Sequence, residues 1–355
     1  MLGISVYLGN KEIADQKSYI RKMNDCGFRC IFTSLHIPEE DNSKYKDQLK
    51  ELGHLASQLD MELMADISPD SLNLLGMNWS NADKLLRWGL TGIRVDYGIP
   101  EPVIIELSQK MKVALNASTI TEEALTRMKA NGLVTASVEA WHNFYPRPET
   151  GLDLDDFIEK NRWLKEKGIT IMTFIPGDEE LRGPLYQTLP TIEDHRKQSP
   201  FASYMEMKMV GRVDKILIGD VAISSSTLDQ FTSYNKNNEI LLKAEPDENS
   251  AEEILQKIPV LHTNRPDGAR DCFRSVESRQ YPHKNISPSN CMERLIGTIT
   301  IDNKKYLRYQ GEIQITKRDL PADEKVNVVG RVVSKDRPLL KWIRDNQKVR
   351  IQWGS

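Results

Sequence analysis

The segment Lys165-Glu-Lys-Gly168-Ile-Thr-Ile-Met-Thr-Phe-Ile175 contains the pattern that decides the fold. Its charged half ends at a glycine, the residue that most easily adopts the left-handed conformation after the last turn of a helix. Its second half is a run of β-branched and apolar residues that is typical of a strand. The same passage recurs around Gly27 and Gly132. Helices and strands that alternate in this way form parallel sheets.

Eight strand candidates alternate with helical segments over the first two thirds of the chain. One helical segment, residues 44–59, has leucines at the spacing of an amphipathic helix. Eight such units in about 230 residues predict an α/β fold of the TIM type, a (β/α)8 barrel. The rival, an open doubly wound sheet, would show a Gly-x-Gly-x-x-Gly turn after the first strand, and the sequence has none there. The strand candidates are residues 3–9, 30–35, 62–67, 92–97, 112–117, 134–140, 170–175 and 215–220.

The region after residue 237 is typical of antiparallel strands, with a hairpin turn predicted at residues 301–305. We therefore expect a catalytic barrel in residues 1–237 and a smaller, β-rich C-terminal domain in residues 238–355. The predicted strands of this domain are residues 240–245, 306–309, 312–315, 326–333 and 349–353, and its predicted helices lie near residues 251–258 and 339–345.

The composition argues against several classes of partner. The 355 residues include 48 Lys and Arg against 51 Asp and Glu, a net charge of −3, which disfavours binding to nucleic acid or to an anionic membrane. No apolar run reaches the ~18 residues of a spanning helix. The N-terminal segment lacks a cationic leader, so we expect a cytoplasmic protein. The cysteines form no Cys-x-x-Cys pair, which predicts reduced thiols and no sulfur-bound metal. They are Cys26, Cys30, Cys272 and Cys291. We also expect no cofactor.

The C-terminal ends of barrel strands supply the reactive groups of (β/α)8 enzymes, because core side chains fill the rest of each strand. Any single carboxylate there would otherwise be interpreted as a helix cap or a loop brace. Several carboxylates at one mouth repel one another and lose hydration, which raises the pKa of at least one and suits acid/base chemistry. The candidate catalytic residues selected by this rule are Asp66, Asp96, Glu139 and Asp220.

Glu139 is the expected general acid, because the apolar face of Trp141 beside it would raise the pKa of a carboxyl group. Asp66 and Asp96 are the alternatives, since neighbouring strands about 4.8 Å apart would bring them close together. Carboxylate pairs of glycosidases lie about 5 to 9.5 Å apart, so strand spacing leaves retaining and inverting outcomes open. A metal held by the same oxygens and His142 also stays open, but no His-x-x-x-His spacing supports it and we assign no metal ligand.

The loop Glu139-Ala-Trp-His-Asn-Phe-Tyr-Pro-Arg-Pro-Glu-Thr-Gly-Leu152 is crowded with aromatic rings, prolines and charges. Sugar rings stack on flat aromatic faces, and a guanidinium suits a phosphate or carboxylate group. The alternative is that the rings merely pack the loop onto the barrel. Together with the residue that ends the fifth strand, the predicted substrate-binding residues of the barrel are Asn116, Trp141, His142, Asn143, Tyr145, Arg147 and Glu149.

A second cluster, residues 262–279, contains four arginines and no lysine. Arginine is preferred for bidentate recognition of oxyanions, so this segment is a candidate clamp for a phosphate or carboxylate group. The alternative is a solvated surface without a binding function. The predicted binding residues here are Asn264, Arg265, Arg270 and Arg274.

The chain resembles a bacterial family of two-domain proteins, once labelled outer surface proteins, that contains the 6-phospho-N-acetylmuramidases of cell-wall recycling. The resemblance extends over the whole chain, and the loop His142-Asn-Phe-Tyr-Pro-Arg-Pro-Glu-Thr-Gly151 is its most specific part. Its other carriers are Gly3-Ile-Ser-Val-Tyr-Leu-Gly9, Asn264-Arg-Pro-Asp267 with Ala269-Arg270, and the stretch from Tyr306 to Ile315.

The resemblance implies a TIM barrel joined to a cyclophilin-like β-rich domain. It also implies hydrolysis of a 6-phosphorylated N-acetylmuramyl-N-acetylglucosamine disaccharide in the cytoplasm, as part of peptidoglycan recycling. The expected partner is thus a small phosphorylated disaccharide, with no nucleic acid and no membrane. Two alternatives stay open, a phosphosugar isomerase or aldolase and a non-enzymatic protein-binding module. A Schiff-base aldolase would need a lysine, and no predicted strand ends in one.

Overall fold

The computed structural model describes residues 1–9, 11–35, 45–95, 99–250, 255, 258–279 and 285–354. The chain divides into two compact units. The first unit comprises Met1–Arg196 and Glu206–Ser224, and the second comprises Lys197–Met205 and Ser225–Ser355. The expected domain boundary at residue 237 stays a prediction.

Eight parallel strands close the first unit into a barrel, and the last strand pairs with the first. This closed barrel confirms the predicted (β/α)8 fold. The strands are β1 (Leu2–Ser5), β2 (Phe28–Ser34), β3 (Glu62–Ile67), β4 (Gly92–Val95), β5 (Lys112–Asn116), β6 (Val138–Trp141), β7 (Thr170–Ile175) and β8 (Lys215–Ile218).

Helices follow the barrel strands along the chain. Within the described ranges, none of them is long and apolar enough to cross a lipid bilayer. A 3-10 segment, Trp79–Trp88, lies between the third helix and β4. The helices are α1 (Ile13–Asp25), α2 (Tyr45–Gln58), α3 (Pro69–Leu74), α4 (Glu101–Ser108), α5 (Glu122–Ala130), α6 (Leu154–Glu166), α7 (Pro200–Met209) and α8 (Ser225–Asn237).

The glycines that predicted the fold adopt the expected backbone conformation. The φ angles are 94° at Gly27, 98° at Gly132 and 75° at Gly168, all in the left-handed region that ends a helix. Inside the barrel, apolar side chains from neighbouring strands pack into one cluster, so the barrel is filled. This interior cluster consists of Cys30, Phe32, Met64, Ala114, Trp141, Met172, Phe174 and Leu217.

The sixth strand begins four residues later than the sequence predicts. A 3-10 turn occupies Thr135–Ser137, and pairing with β5 starts only where Val113 meets Val138. The β-branched residues of this stretch favour a strand locally, but the register with β5 decides where the strand begins. Glu139 is therefore the second residue of a four-residue strand and does not end it.

The described residues of the second unit contain a mixed sheet of seven strands. Its strands are β9 (Glu239–Pro246), β10 (Leu261–Thr263), β11 (Cys272–Arg274), β12 (Thr298–Asp302), β13 (Ile313–Thr316), β14 (Val326–Val332) and β15 (Lys348–Trp353). Their order in the sheet is β10-β15-β9-β14-β12-β13-β11, and the parallel pair is β9 with β15. This sheet confirms a smaller, β-rich C-terminal domain, whose likeness to a cyclophilin stays a prediction.

Two predicted elements of this unit take another form. The strand predicted at residues 306–309 is part of a 3-10 segment, Lys304–Tyr309, because the Asn303 side chain caps its start by accepting the Lys305 N–H at 3.0 Å. The helix predicted at 339–345 is replaced by a 3-10 segment, Ser334–Trp342, with Pro338 inside it. Proline has no N–H to donate to a regular helix. The helix predicted near 251–258 lies mostly outside the described residues.

Candidate active site

Asp66, Arg94 and Asn143 form a chain of polar contacts above the interior cluster. Asp66 and Arg94 are register partners on β3 and β4, so their side chains point to the same side of the sheet. Met64, two residues before Asp66, belongs to the interior cluster, which places Asp66 one layer nearer the C-terminal mouth. Arg94 Nη1 lies 3.0 Å from Asp66 Oδ2, and Arg94 Nη2 donates to Asn143 Oδ1. The structure therefore joins two predicted site residues through an arginine.

Aromatic rings and a second guanidinium lie on the same interior cluster. Phe144 packs against the cluster, with its ring centroid 5.1 Å from that of Phe174. Arg182 Cζ lies 4.1 Å from the ring centroid of Tyr7 and 5.9 Å from that of Phe144. The buried Tyr7 hydroxyl donates to the Gly219 carbonyl, and burial raises the pKa of this hydroxyl. The mouth thus combines a guanidinium with the half-buried ring of Phe144, a combination suited to an anionic sugar.

Asp220 holds the loop that follows β7 through hydrogen bonds to its backbone. Its side chain is fully buried, and its carboxylate accepts backbone N–H groups of Gly177 at 2.8 Å, Arg182 at 3.1 Å and Leu189 at 3.0 Å. Burial raises the pKa of Asp220, and the three donors oppose that rise without cancelling it. A Cβ at position 177 would lie 2.6 Å from the Asp220 Cβ, so only glycine permits this approach. These contacts match the loop-bracing interpretation of Asp220, and its catalytic role stays a prediction.

Glu139 lies on the N-terminal side of Trp141, away from the mouth. Its Oε2 accepts the Trp141 indole N–H at 2.7 Å, and its Oε1 lies 2.7 Å from Lys215 Nζ. Lys112 Nζ is 3.8 Å from the same oxygen. Lys112 and Lys215 are the first residues of β5 and β8, so this ion cluster, with Glu62 as its fourth member, marks the N-terminal end of the barrel. The expected strand-end position of Glu139 is corrected accordingly.

Trp141 and His142 are both buried, on opposite sides of β6. Trp141 points into the barrel with 1% of its surface exposed, so no open ring face is offered to a sugar. His142 points toward α6, where its Nε2 lies 2.7 Å from Asn161 Oδ1 and its ring centroid 4.4 Å from that of Phe157. Burial lowers the pKa of His142 to about 4, which leaves the imidazole neutral near pH 7. These placements favour packing roles for the two residues, and their binding roles stay predictions.

The remainder of the loop is held by an ion pair that sequence reasoning missed. Glu193 accepts the backbone N–H of Glu149 at 2.9 Å and pairs with Arg196 at 2.7 Å. Arg196 in turn donates to the carbonyl oxygens of Tyr145 and Arg147. The Arg196 guanidinium, against the opposing effect of burial, lowers the pKa of Glu193 to about 2. Tyr145 is half-buried, whereas Arg147 and Glu149 are exposed, and their binding roles stay predictions.

Two other predicted residues are Asn116, which ends β5, and Asp96, which follows β4 in the sequence. Asn116 faces a cavity of about 420 Å³ that α4 and α5 line with mostly apolar side chains, among them Ile104 and Met128. The Asn116 Oδ1 accepts the Ser118 N–H at 2.9 Å. Asp96 directly follows β4 and lies outside the described residues, so its closeness to Asp66 stays a prediction.

The predicted anion-binding residues of the second unit have partners within that unit. Arg265 pairs with Asp267 at 2.8 Å and Arg270 pairs with Asp271 at 2.8 Å. Arg274 pairs with the buried Glu312 through two N–H groups, at 2.6 and 3.0 Å. Asn264 is buried and donates to the Arg344 carbonyl at 3.0 Å. A phosphate would have to compete with these carboxylates, and the clamp stays a prediction.

Sequence reasoning missed several charged residues of the barrel. Arg94 could have been found, because a charge between Ile93 and Val95 interrupts an apolar strand. The sequence indicates Glu62, Lys112 and Lys215 more weakly, because each begins a strand. No sequence pattern indicates Arg182, since its position depends on how the loop folds back. In the part of the chain that the structure describes, no three His, Cys, Asp or Glu side chains converge as metal ligands would.

The fold and the mouth define a (β/α)8 barrel enzyme, and comparison with known proteins gives its family. The family model for the N-terminal part of 6-phospho-N-acetylmuramidase matches residues 2–233, and that for the C-terminal part matches residues 239–352. This chain therefore belongs to the 6-phospho-N-acetylmuramidase family, and it is a glycosidase.

Two solved structures are similar over nearly the whole chain. A conserved Enterococcus faecalis protein with an unknown function is 44% identical, with a TM-score of 0.91 over 100% of this chain and 97% of that chain. An uncharacterized B. cereus protein is 25% identical, with a TM-score of 0.74 over 99% of each chain. None of the curated proteins with which the chain was compared matches it.

Proposed function

We propose that this protein hydrolyses a 6-phosphorylated N-acetylmuramyl-N-acetylglucosamine disaccharide. One water molecule is consumed, and the products are N-acetylmuramic acid 6-phosphate and N-acetylglucosamine. The family match across both parts of the chain is the observation that carries the proposal. The reaction would take place in the cytoplasm and serve peptidoglycan recycling.

Asp66 is the carboxylate that we assign to the reaction. It is 9% exposed, lies one layer nearer the mouth than Met64, and is held in place by Arg94. Glycosidases use two carboxylates, and Asp96, one residue beyond the end of β4, is the candidate for the second. Glu139 is less suited, because it lies on the far side of Trp141 in contact with Lys215.

The Asp66→Asn and Glu139→Gln variants separate the two assignments. We expect Asp66→Asn to lower kcat by about 10²- to 10⁴-fold, the usual contribution of a positioned acid or base. Glu139→Gln, in the fraction that folds, should stay within a few-fold of wild type. Asp70→Asn is the matched control, because Asp70 is exposed on α3. The assay measures the release of N-acetylglucosamine from the phosphorylated and unphosphorylated disaccharides.

Two results would contradict the proposal. Equal turnover of both disaccharides would show that the phosphate is not recognised. A folded Asp66→Asn variant with nearly wild-type kcat would move the reaction to another carboxylate, and loss of activity in Glu139→Gln would then favour Glu139.

A further inference from the structure

One buried carboxylate closes a loop at the barrel mouth. Asp220 lies beyond the end of β8 and accepts the N–H of Gly177, just after β7, with the same oxygen that accepts the N–H of Leu189. Its other oxygen accepts the N–H of Arg182 at 3.1 Å. The segment between Gly177 and Leu189, here called the β7 loop, is thus tied at both ends and near its middle to one side chain with no exposed surface.

Arg182 belongs to this tied segment, and its side chain reaches two aromatic rings. Its guanidinium lies 4.1 Å from the Tyr7 ring centroid, and Tyr7 is itself held by its hydrogen bond to Gly219. The Arg182 guanidinium also lies 5.9 Å from the ring centroid of Phe144, and the Phe144 ring packs on the interior cluster. A guanidinium that lies against aromatic rings can still donate N–H groups to an oxyanion.

The β7 loop also presents apolar surface. Leu185 is 46% exposed and Tyr186 is 63% exposed, both high values for large side chains. The Tyr186 ring folds back over Gly183, where a Cβ would lie 3.1 Å from the tyrosine hydroxyl oxygen. An exposed aromatic ring on the same loop as a guanidinium suits a sugar that carries an anionic group.

We propose that Arg182 binds the phosphate group of the substrate and that Asp220 is the positioning residue that holds Arg182 in place. This assignment rests on the proposed function, since it names the group that recognises the 6-phosphate. It also gives the phosphate a site within the barrel unit itself.

The test uses the full chain and two measurements. The first is calorimetric binding of N-acetylmuramic acid 6-phosphate and of unphosphorylated N-acetylmuramic acid, and the second is KM and kcat for the phosphorylated disaccharide. Arg182→Ala should weaken binding of the phosphorylated sugar by roughly 10- to 100-fold, the usual effect of losing a hydrogen-bonded charge. Binding of the unphosphorylated sugar should change by less than about threefold. Arg21→Ala, an exposed arginine on α1, is the matched control.

Asp220→Asn tests the positioning role. An amide offers one acceptor oxygen in place of two, so at least one of the three backbone donors loses its partner. We expect KM for the phosphorylated disaccharide to rise by roughly tenfold while kcat stays within about threefold of wild type. A variant that is merely destabilised would lower the active fraction and leave KM unchanged. Equal losses in kcat with unchanged KM would therefore overturn the positioning role.

The outcomes distinguish this inference from the proposed function. If the wild-type protein cleaves neither disaccharide, the proposed function is wrong, and the binding measurements still decide the role of Arg182. If Arg182→Ala binds both sugars as wild type does, the inference is wrong even when the enzyme is active. Should Arg182→Ala fail to fold, Arg182→Lys keeps the charge without the planar fork, and it should still weaken binding of the phosphorylated sugar by more than about threefold. Unchanged binding in that variant would overturn the inference.

Discussion

Replacement of Lys215 by methionine removes the ammonium group that lies between Glu62 and Glu139 at the N-terminal end of the barrel. The Lys215 and Glu139 side chains are each 5% exposed, so the carboxylate of Glu139 would be left buried. Breaking a buried ion pair by removing one partner costs about 3 to 5 kcal/mol. Lys112 remains 3.8 Å from the same oxygen and offsets part of the loss, so we expect about 3 kcal/mol.

This loss should be visible as a lower melting temperature of the barrel unit. For a unit of this size, 1 kcal/mol corresponds to about 2 to 4 °C, so the expected decrease is about 6 to 12 °C. Calorimetric scans and urea unfolding at pH 7 would measure it. Lys112→Met is the matched comparison and should cost less, because the Lys112 side chain is 37% exposed.

The pH dependence follows from the direction of the Lys215 pKa. Burial lowers this pKa, but Glu139 and Glu62 raise it more, and the net direction is upward. Because the pKa of Lys215 is raised in the folded state, the stabilisation by its charge is fully present below about pH 10.4, the pKa of lysine in the unfolded chain. It is lost as pH rises through the pKa of Lys215 in the folded protein. The difference between wild type and Lys215→Met should therefore persist through neutral pH and shrink in strong alkali.

A double replacement decides whether the charge itself is responsible. Lys215→Met with Glu139→Gln removes both charges while the amide oxygen can still accept the Trp141 indole N–H, so this double variant should regain most of the lost stability. The reasoning fails if Lys215→Met costs less than about 1 kcal/mol, or if the double variant is less stable than the single one.

Three further predictions concern the loops. Glu193→Gln should lower the free energy of unfolding by about 1 to 2 kcal/mol at pH 7. Because the pKa of Glu193 is lowered to about 2, this difference between wild type and variant should disappear as pH falls from about 4.5 to 2. Unfolding curves recorded at a series of acidic pH values would measure it, and a pH-independent difference would contradict the prediction. Gly177→Ala should destabilise the barrel by about 1 to 3 kcal/mol through a collision with Asp220, and a melting temperature equal to wild type would show that the β7 loop can shift. Leu307→Gly should stabilise the second unit by about 1 kcal/mol, because Leu307 is 80% exposed at a φ of 55°, and lower stability by urea unfolding would refute this.

Much of the barrel could be predicted because its signals are local. The strands Glu62–Ile67 and Thr170–Ile175 have the bounds that their apolar runs indicate. The start of β6 could not be predicted, because the β-branched residues Val134 and Thr135 favour a strand locally, whereas pairing with β5 begins only at Val138, opposite Val113. The strand predicted at residues 306–309 was wrong for a similar reason, since the side chain of Asn303 caps a 3-10 segment there.

Some features of the candidate site could likewise be predicted from the sequence, and others depend on the tertiary structure. The sequence by itself determined the eight βα units, the smaller β-rich domain, the position of Asp66 near the end of β3, and the distinctive loop at residues 142–151. Only the tertiary structure decided what each carboxylate contacts. Glu139 meets Lys215 across 76 positions of sequence, and Asp220 meets Gly177 across 43. A strand end can be read from the periodicity of neighbouring residues, but the charge state and role of a buried carboxylate depend on donors that barrel closure brings from distant strands.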